Sequence, residues 1–169
     1  MNQKNAKAIF DVNEDIQIIK TYLEHVTQWG HFEMAIFANC LYIFSSEYIR
    51  ATFTILLKRT KILSKIDTYQ NDVAIFLNNC IVLALERQHY QDARFYIHEL
   101  NRLTSRTPRK AYDRMMCNYY LELIKQVTGQ PANVQAAIER FNELGFTEHA
   151  DMLRTLQGRI TALSASSIA

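Results

Sequence analysis

Four asparagines, Asn39, Asn78, Asn79 and Asn118, are the side chains of this sequence whose type and setting point most directly to chemistry. Each interrupts an apolar run: "AIFANC" at 35–40, "AIFLNNC" at 74–80 and "MMCNYY" at 115–120. A buried amide left without partners costs about 1–3 kcal/mol, so something must match these groups. An asparagine side chain carries both a carbonyl acceptor and an NH2 donor, and can engage the N–H and the C=O of an extended backbone together. Repeated along a surface, such side chains make a ladder that holds a peptide whatever its sequence. Arg114, one helical turn before Asn118, is placed to receive a carboxylate, and Phe76, Met115 and Tyr119 are near enough in sequence to supply apolar walls. Two readings remain open on spacing alone. The amides serve a ligand, or they bond to neighbouring helices, to one another or to trapped water. Arg114 taken by itself also reads as a surface salt-bridge residue.

Holding such a row requires helices, and the composition supplies little else. Of 169 residues, 49% are apolar and 21% charged, enough for one sizeable core. Four glycines and two prolines leave little material for hairpins, and strand-like alternation is scarce. The apolar periodicity and its punctuation predict about eight helices: residues 12–27, a second carrying Phe32 to Phe44, then 47–62, 71–87, 91–104, one from Pro108 to the "TGQP" break, one ending at Leu144, and 147–163. The Ser45-Ser46 pair is read as a stop followed by a fresh N-cap. The tail 164–169, "SASSIA" with Leu163 before it, is small and polar and is expected to fray, and residues 1–11 are read as an N-terminal arm.

The helices fall into pairs that repeat. Ala35-Ile36-Phe37 aligns with Ala74-Ile75-Phe76 at an offset of 39, which carries Asn39 onto Asn78 and, from Asn79, reaches Asn118. In the partner helices Ala51, Phe53 and Ile55 align with Ala93, Phe95 and Ile97 at an offset of 42. Helix-turn-helix units of this period are the signature of an α-solenoid, here of about four tetratricopeptide-like pairs. Equivalent positions of successive first helices in a solenoid line one concave surface, which is where the asparagine row is expected.

Several function classes find no support. Nineteen Lys+Arg against 17 Asp+Glu give a formal charge of +2, too small a field for non-specific nucleic-acid binding by this segment. The basic cluster Lys58, Arg59, Lys61 and Lys65 is read as a solvated helix end. His25, His31, His89, His98 and His149 form no HxxxH pair and have no cysteine at metal-ligand spacing, so neither metal nor cofactor is expected. No Gly-rich phosphate loop or GxSxG elbow occurs, and the chain is read as non-enzymatic. Cys40, Cys80 and Cys117 sit in apolar runs as small hydrophobes, and are expected to be reduced. No apolar stretch reaches membrane-spanning length and no export signal is recognised, so a cytoplasmic location is expected.

The stretch "YLEHVTQWGHFEMAIFAN", with Tyr22-Leu23, Trp29, Phe32-Glu33, Phe37 and Asn39, resembles the opening of the C-terminal domain of the Rgg/GadR/MutR family of transcriptional regulators, and "FLNNCIVLALERQHYQDARFYIHEL" resembles the family's next repeat. The likeness runs from about residue 12 to 155. It implies a tetratricopeptide-like domain that binds a short peptide pheromone in its concave groove and forms a homodimer, in cytoplasmic regulators of Gram-positive bacteria that control quorum-sensing, bacteriocin or stress genes. Such regulators read DNA through an N-terminal helix-turn-helix. Residues 1–11 are too few for one, so the chain is expected to be an excised C-terminal fragment. By position, the resemblance makes Asn39, Asn78, Asn79, Asn118 and Arg114 candidate peptide contacts, and suggests residues 132–163 for part of the dimer contact. The competing expectation is a stand-alone helical-repeat scaffold for another protein, with no transcriptional role.

Overall fold

The computed structural model describes residues 12–60, 67–105 and 107–166. The described chain contains α1 (Val12–His25), α2 (His31–Asn39) with a 3-10 turn at Leu41–Ile43, α3 (Ser46–Thr60), α4 (Asp67–Glu86) and α5 (Tyr90–Thr104). A second 3-10 turn, Pro108–Lys110, leads into α6 (Ala111–Val127), followed by α7 (Val134–Glu143) and α8 (Thr147–Ser166). No strand occurs among the described residues. The arm at 1–11 lies outside them, as do residues 167–169 of the tail and the side chains of Lys58, Arg59, Lys61 and Lys65.

Local chemistry sets the helix ends. Ser45 Oγ accepts from the Tyr48 N–H at 3.2 Å and starts α3, and Asn133 Oδ1 accepts from Ala136 N–H at 3.1 Å and starts α7. Glu33 reaches back to the Gly30 N–H at 2.8 Å, and this bond, with one from its own backbone N–H, holds its carboxyl below the usual carboxylate range. Three helices end alike, with a left-handed residue after the last turn and an N–H returning to a carbonyl five residues earlier. These are Gln88 (φ 58) with His89 N–H on Ala84 O, Gly129 (φ 70) with Gln130 N–H on Lys125 O, and Gly145 (φ 83) with Phe146 N–H on Phe141 O. Only the first lacks a glycine. α8 continues three residues beyond Leu163, and the hydroxyls of Ser164 and Ser166 donate back to Val127 O and Leu163 O.

Packing follows the chain. α2 lies on α4, and α4 to α8 each pack on the next, while α6 and α8 also touch and α4 contacts both. This is the stacked-pair pattern of an all-α, tetratricopeptide-like solenoid. α4, α6 and α8 run in the same direction: Asn71 and Lys110 meet near the starts of α4 and α6, and Glu86 meets Arg159 toward the ends of α4 and α8. At the N-terminal side, Phe76 stacks between Phe37 (5.1 Å) and Phe53 (5.4 Å), with Trp29 and Tyr96 edge-on at the two ends. Phe76 is fully buried and is a core residue rather than a groove wall.

Further along, adjacent tyrosines of α6 point to opposite neighbours. Tyr119 Oη donates to Leu153 O of α8 at 2.7 Å, and Tyr120 Oη donates to Asn78 Oδ1 of α4 at 3.1 Å. Burial pushes both hydroxyls, and that of Tyr96, far above the ordinary tyrosine range, and pushes the Cys117 thiol up to about 12.

Truncating Phe76→Ala removes the centre of the aromatic stack and is expected to cost about 3–5 kcal/mol, a large share of the ~5–15 kcal/mol that stabilises a typical domain; urea unfolding followed by circular dichroism measures it. Alkaline pH supplies a second check. The folded state keeps Tyr96, Tyr119, Tyr120 and Cys117 protonated above their ordinary values of 10.0 and 9.0. The unfolded chain therefore loses protons first, and stability present below about pH 9 is expected to fall as pH rises through 10 and beyond. Unfolding midpoints at a series of pH values should show that decline, and the decline should be shallower in Tyr119→Phe/Tyr120→Phe.

Candidate binding groove

A cavity of about 540 Å³ opens where α4, α6 and the start of α8 converge. α4 contributes Asn71, Ala74, Ile75, Asn78, Asn79 and Val82. Asn71, Ile75, Asn78 and Val82 recur at intervals of three and four, the spacing that puts them on one face of a helix. α6 and the turn before it contribute Lys110, Tyr112, Asp113, Met116 and Tyr120, and α8 contributes His149. The size suits a small ligand or a few residues of a longer one.

Two kinds of surface line it. Ile75 is 58% exposed, and with Val82 and Met116 it gives the cavity an apolar stripe. At the mouth, Lys110 Nζ donates to Asn71 Oδ1 and lies 3.9 Å from Asp113 Oδ2. Desolvation raises the Asp113 carboxyl above its usual range, and the nearby ammonium offsets part of that rise. His149 Nε2 lies 2.9 Å from Tyr112 Oη and 3.3 Å from Met116 Sδ, and burial lowers its pKa. A ring kept neutral in this way and unprotonated at Nε2 accepts the Tyr112 hydroxyl.

The asparagines divide. Asn78 is half-buried and occupied: its Nδ2 donates to Ala74 O at 2.8 Å while its Oδ1 receives Tyr120. Asn79 is exposed, and its contact with α2 is a long one, Nδ2 to Ala38 O at 3.5 Å, which leaves most of its amide capacity to the cavity. Asn39 is exposed at the last residue of α2 and does not line this cavity. Asn118 and Arg114 face elsewhere, in a separate hollow of about 370 Å³ between α5 and α6. Tyr119 is fully buried like Phe76, and Met115 is half-buried against the core. The structure therefore brings Asn78 and Asn79 together at one cavity and pairs Asn118 with Arg114 at another.

The reason lies in register. Counting 39 from Asn79 reaches Asn118, but α6 turns Asp113, Met116 and Tyr120 toward the groove, and Asn118 stands two residues, about 200° of helical rotation, from Met116 and from Tyr120. Asn71, Ile75, Val82, Lys110, Tyr112, Asp113 and His149 join the site although their residue types carry no distinctive signal. A usable one exists in the three-and-four spacing outward from Asn78, which picks out Asn71, Ile75 and Val82 on the same face.

Among the described residues no helix is long and apolar enough to cross a membrane, and no three His, Cys, Asp or Glu side chains gather as a metal site.

Comparison with known proteins places this architecture. A crystal structure of a proposed transcriptional regulator from Listeria monocytogenes EGD-e superposes on it with a TM-score of 0.76, at 22% sequence identity over 88% of this chain and 52% of that one. At that identity the likeness speaks for the fold, and the chain spans about half the length of this relative. The sequence profile of the HTH-type transcriptional regulator Rgg, C-terminal domain, matches residues 4–155, from the arm before α1 to the first half of α8. With the match running through the paired helices and the groove between α4, α6 and α8, the chain belongs to the family of Rgg C-terminal regulatory domains.

Proposed function

We propose that this domain senses a short signalling peptide in the α4–α6–α8 groove and, as a dimer, passes the bound state to a helix-turn-helix DNA reader of a cytoplasmic Rgg-type regulator. The observation that carries the reading is the pairing of Asn79 with Ile75 at the groove. An exposed amide able to hold peptide backbone lies one turn from an exposed aliphatic side chain able to hold a peptide's apolar residue. Asn78 acts at one remove, since its amide is taken by Tyr120 and Ala74 and fixes the wall against which Asn79 works. Because α4 and α8 both lean on α6, an occupant that prefers one spacing of these helices shifts their equilibrium by its differential affinity for the two states.

For the dimer contact we favour the α7–α8 corner. Leu144, Phe146 and Met152 are 60%, 47% and 65% exposed there, an apolar cluster of the kind that marks protein contacts.

Peptides recovered on the immobilised domain from conditioned culture medium, identified by mass spectrometry and resynthesised, provide the titrant. Asn79→Ala is expected to weaken binding by about 1–3 kcal/mol, while Asn118→Ala leaves it unchanged. Equal affinity of Asn79→Ala and the parent would overturn the groove assignment, and recovery of one stoichiometric protein from lysate with no peptide from medium would favour an interaction scaffold. Light scattering after gel filtration tests the corner: Leu144→Glu/Met152→Glu is expected to run as a monomer at concentrations where the parent is a dimer.

A further inference from the structure

The hollow between α5 and α6 has a chemistry of its own. Arg94, His98 and Asn101 reach it from α5 and Arg114 and Asn118 from α6, over a floor that includes Ile97, and no carboxylate lines it. The charge is local, since the whole chain carries only +2. All four carboxylates of these two helices are committed elsewhere. Asp92 pairs with Arg50, Glu99 with Arg102, Asp113 faces Lys110 at the other cavity, and Glu122 holds Lys125 and the Asn133 N–H. Arg50, Arg87, Arg102, Arg154 and Arg159 find carboxylate, hydroxyl or carbonyl partners, whereas the Arg94 and Arg114 guanidinia, like those of Arg109 and Arg140, have no hydrogen-bonded or ion-paired partner among the described residues. Arg94 is half-buried and Arg114 exposed, and each is an always-charged group shaped to grip a carboxylate with two parallel bonds.

The spacing indicates what fits. Cys117 Sγ donates to Ile97 O at 3.8 Å, which fixes the register of the two antiparallel helices. Arg94 lies three residues before Ile97 and Arg114 three before Cys117, so in antiparallel helices they sit on opposite sides of that contact, about 9 Å apart along the hollow at 1.5 Å per residue. Acidic residues three apart in a polyproline II chain, which turns once in three residues, lie on one face at a similar distance, about 9 Å at ~3.1 Å per residue. Asn118 and Asn101 supply amides for the backbone between them. We propose that this hollow is a second recognition site, separate from the α4–α6–α8 groove, which docks an extended acidic segment of a partner protein carrying two carboxylates about three residues apart.

Fluorescence anisotropy with labelled peptides tests it on the intact chain, using the capped sequence Gly-Glu-Leu-Ala-Glu-Gly and its twin with both Glu changed to Gln. The acidic peptide is expected to bind, its affinity to drop at least about tenfold in the Gln twin and in Arg94→Gln/Arg114→Gln, and to stay unchanged in Asn79→Ala. That last comparison separates this site from the groove, so either assignment can fail alone. Circular dichroism of the double variant verifies folding. Affinity unchanged by the arginine substitutions, or no binding of the acidic peptide at about 1 mM, overturns the proposal. So does inorganic pyrophosphate that binds more tightly than the peptide and displaces it, since the site would then be one for phosphate.

Discussion

The geometry of the groove depends on the side-by-side burial of Tyr119 and Tyr120. Two neighbours on a helix point about 100° apart, so one residue pair can brace α6 against two different helices. Each phenol buries a large apolar ring and must also place its hydroxyl, because a buried donor without an acceptor costs more than the bond itself returns. Leu153 O on α8 and Asn78 Oδ1 on α4 are the acceptors, and they set where α8 and α4 stand relative to α6. Asn78 can accept from Tyr120 because its own NH2 is turned back to Ala74 O. A polar side chain in the most apolar helix thus orients the chain of bonds that shapes the cavity.

Much of the fold was legible because helical periodicity is a local signal. The break at "TGQP", the Ser45 cap and the pairing of helices all follow from residue types within a few positions of one another, and each has its counterpart in the structure. α4 begins at Asp67, four residues before the apolar pattern asserts itself, because "DTYQ" is compatible with a helix but carries no periodic stripe. The site was harder to read. "AIFLNNC" marks a stretch that lines the cavity, but its doubled asparagine offers two registers, and choosing between them needs the rotation of α6, which is set by long-range contacts of Tyr119 and Tyr120. For the same reason Phe76 and Tyr119, candidate walls by proximity in sequence, are taken up by the core.

Charge is arranged by helix face rather than by helix. On α6, Asp113 joins Lys110 at one cavity while Arg114, the next residue, faces the other. Glu122 ties the end of α6 to the start of α7 through the Asn133 N–H, which helps hold that corner while leaving the α5 side of α6 without acid. A small net charge therefore conceals two hollows of different polarity, one mixed and partly apolar, the other cationic.

The residue with φ 58 at the end of α4, Gln88, has a counterpart contact that bears on length. Its Nε2 donates to Leu163 O at 3.2 Å, and Arg159 pairs with Glu86 at 2.8 Å beside it, so α8 leans across α4 there while the two helices stand apart around Asn71 and His149. The cleft is thereby bounded on that side by the crossing of α8 over α4. From Asn71 to Val82, the stretch of α4 that lines the cavity, is eleven residues of helix, about 16 Å at 1.5 Å per residue. An extended chain advancing about 3.3 Å per residue would cover that length in about five residues, so a peptide lying along α4 would be limited in length by where α8 crosses rather than by the identity of its side chains.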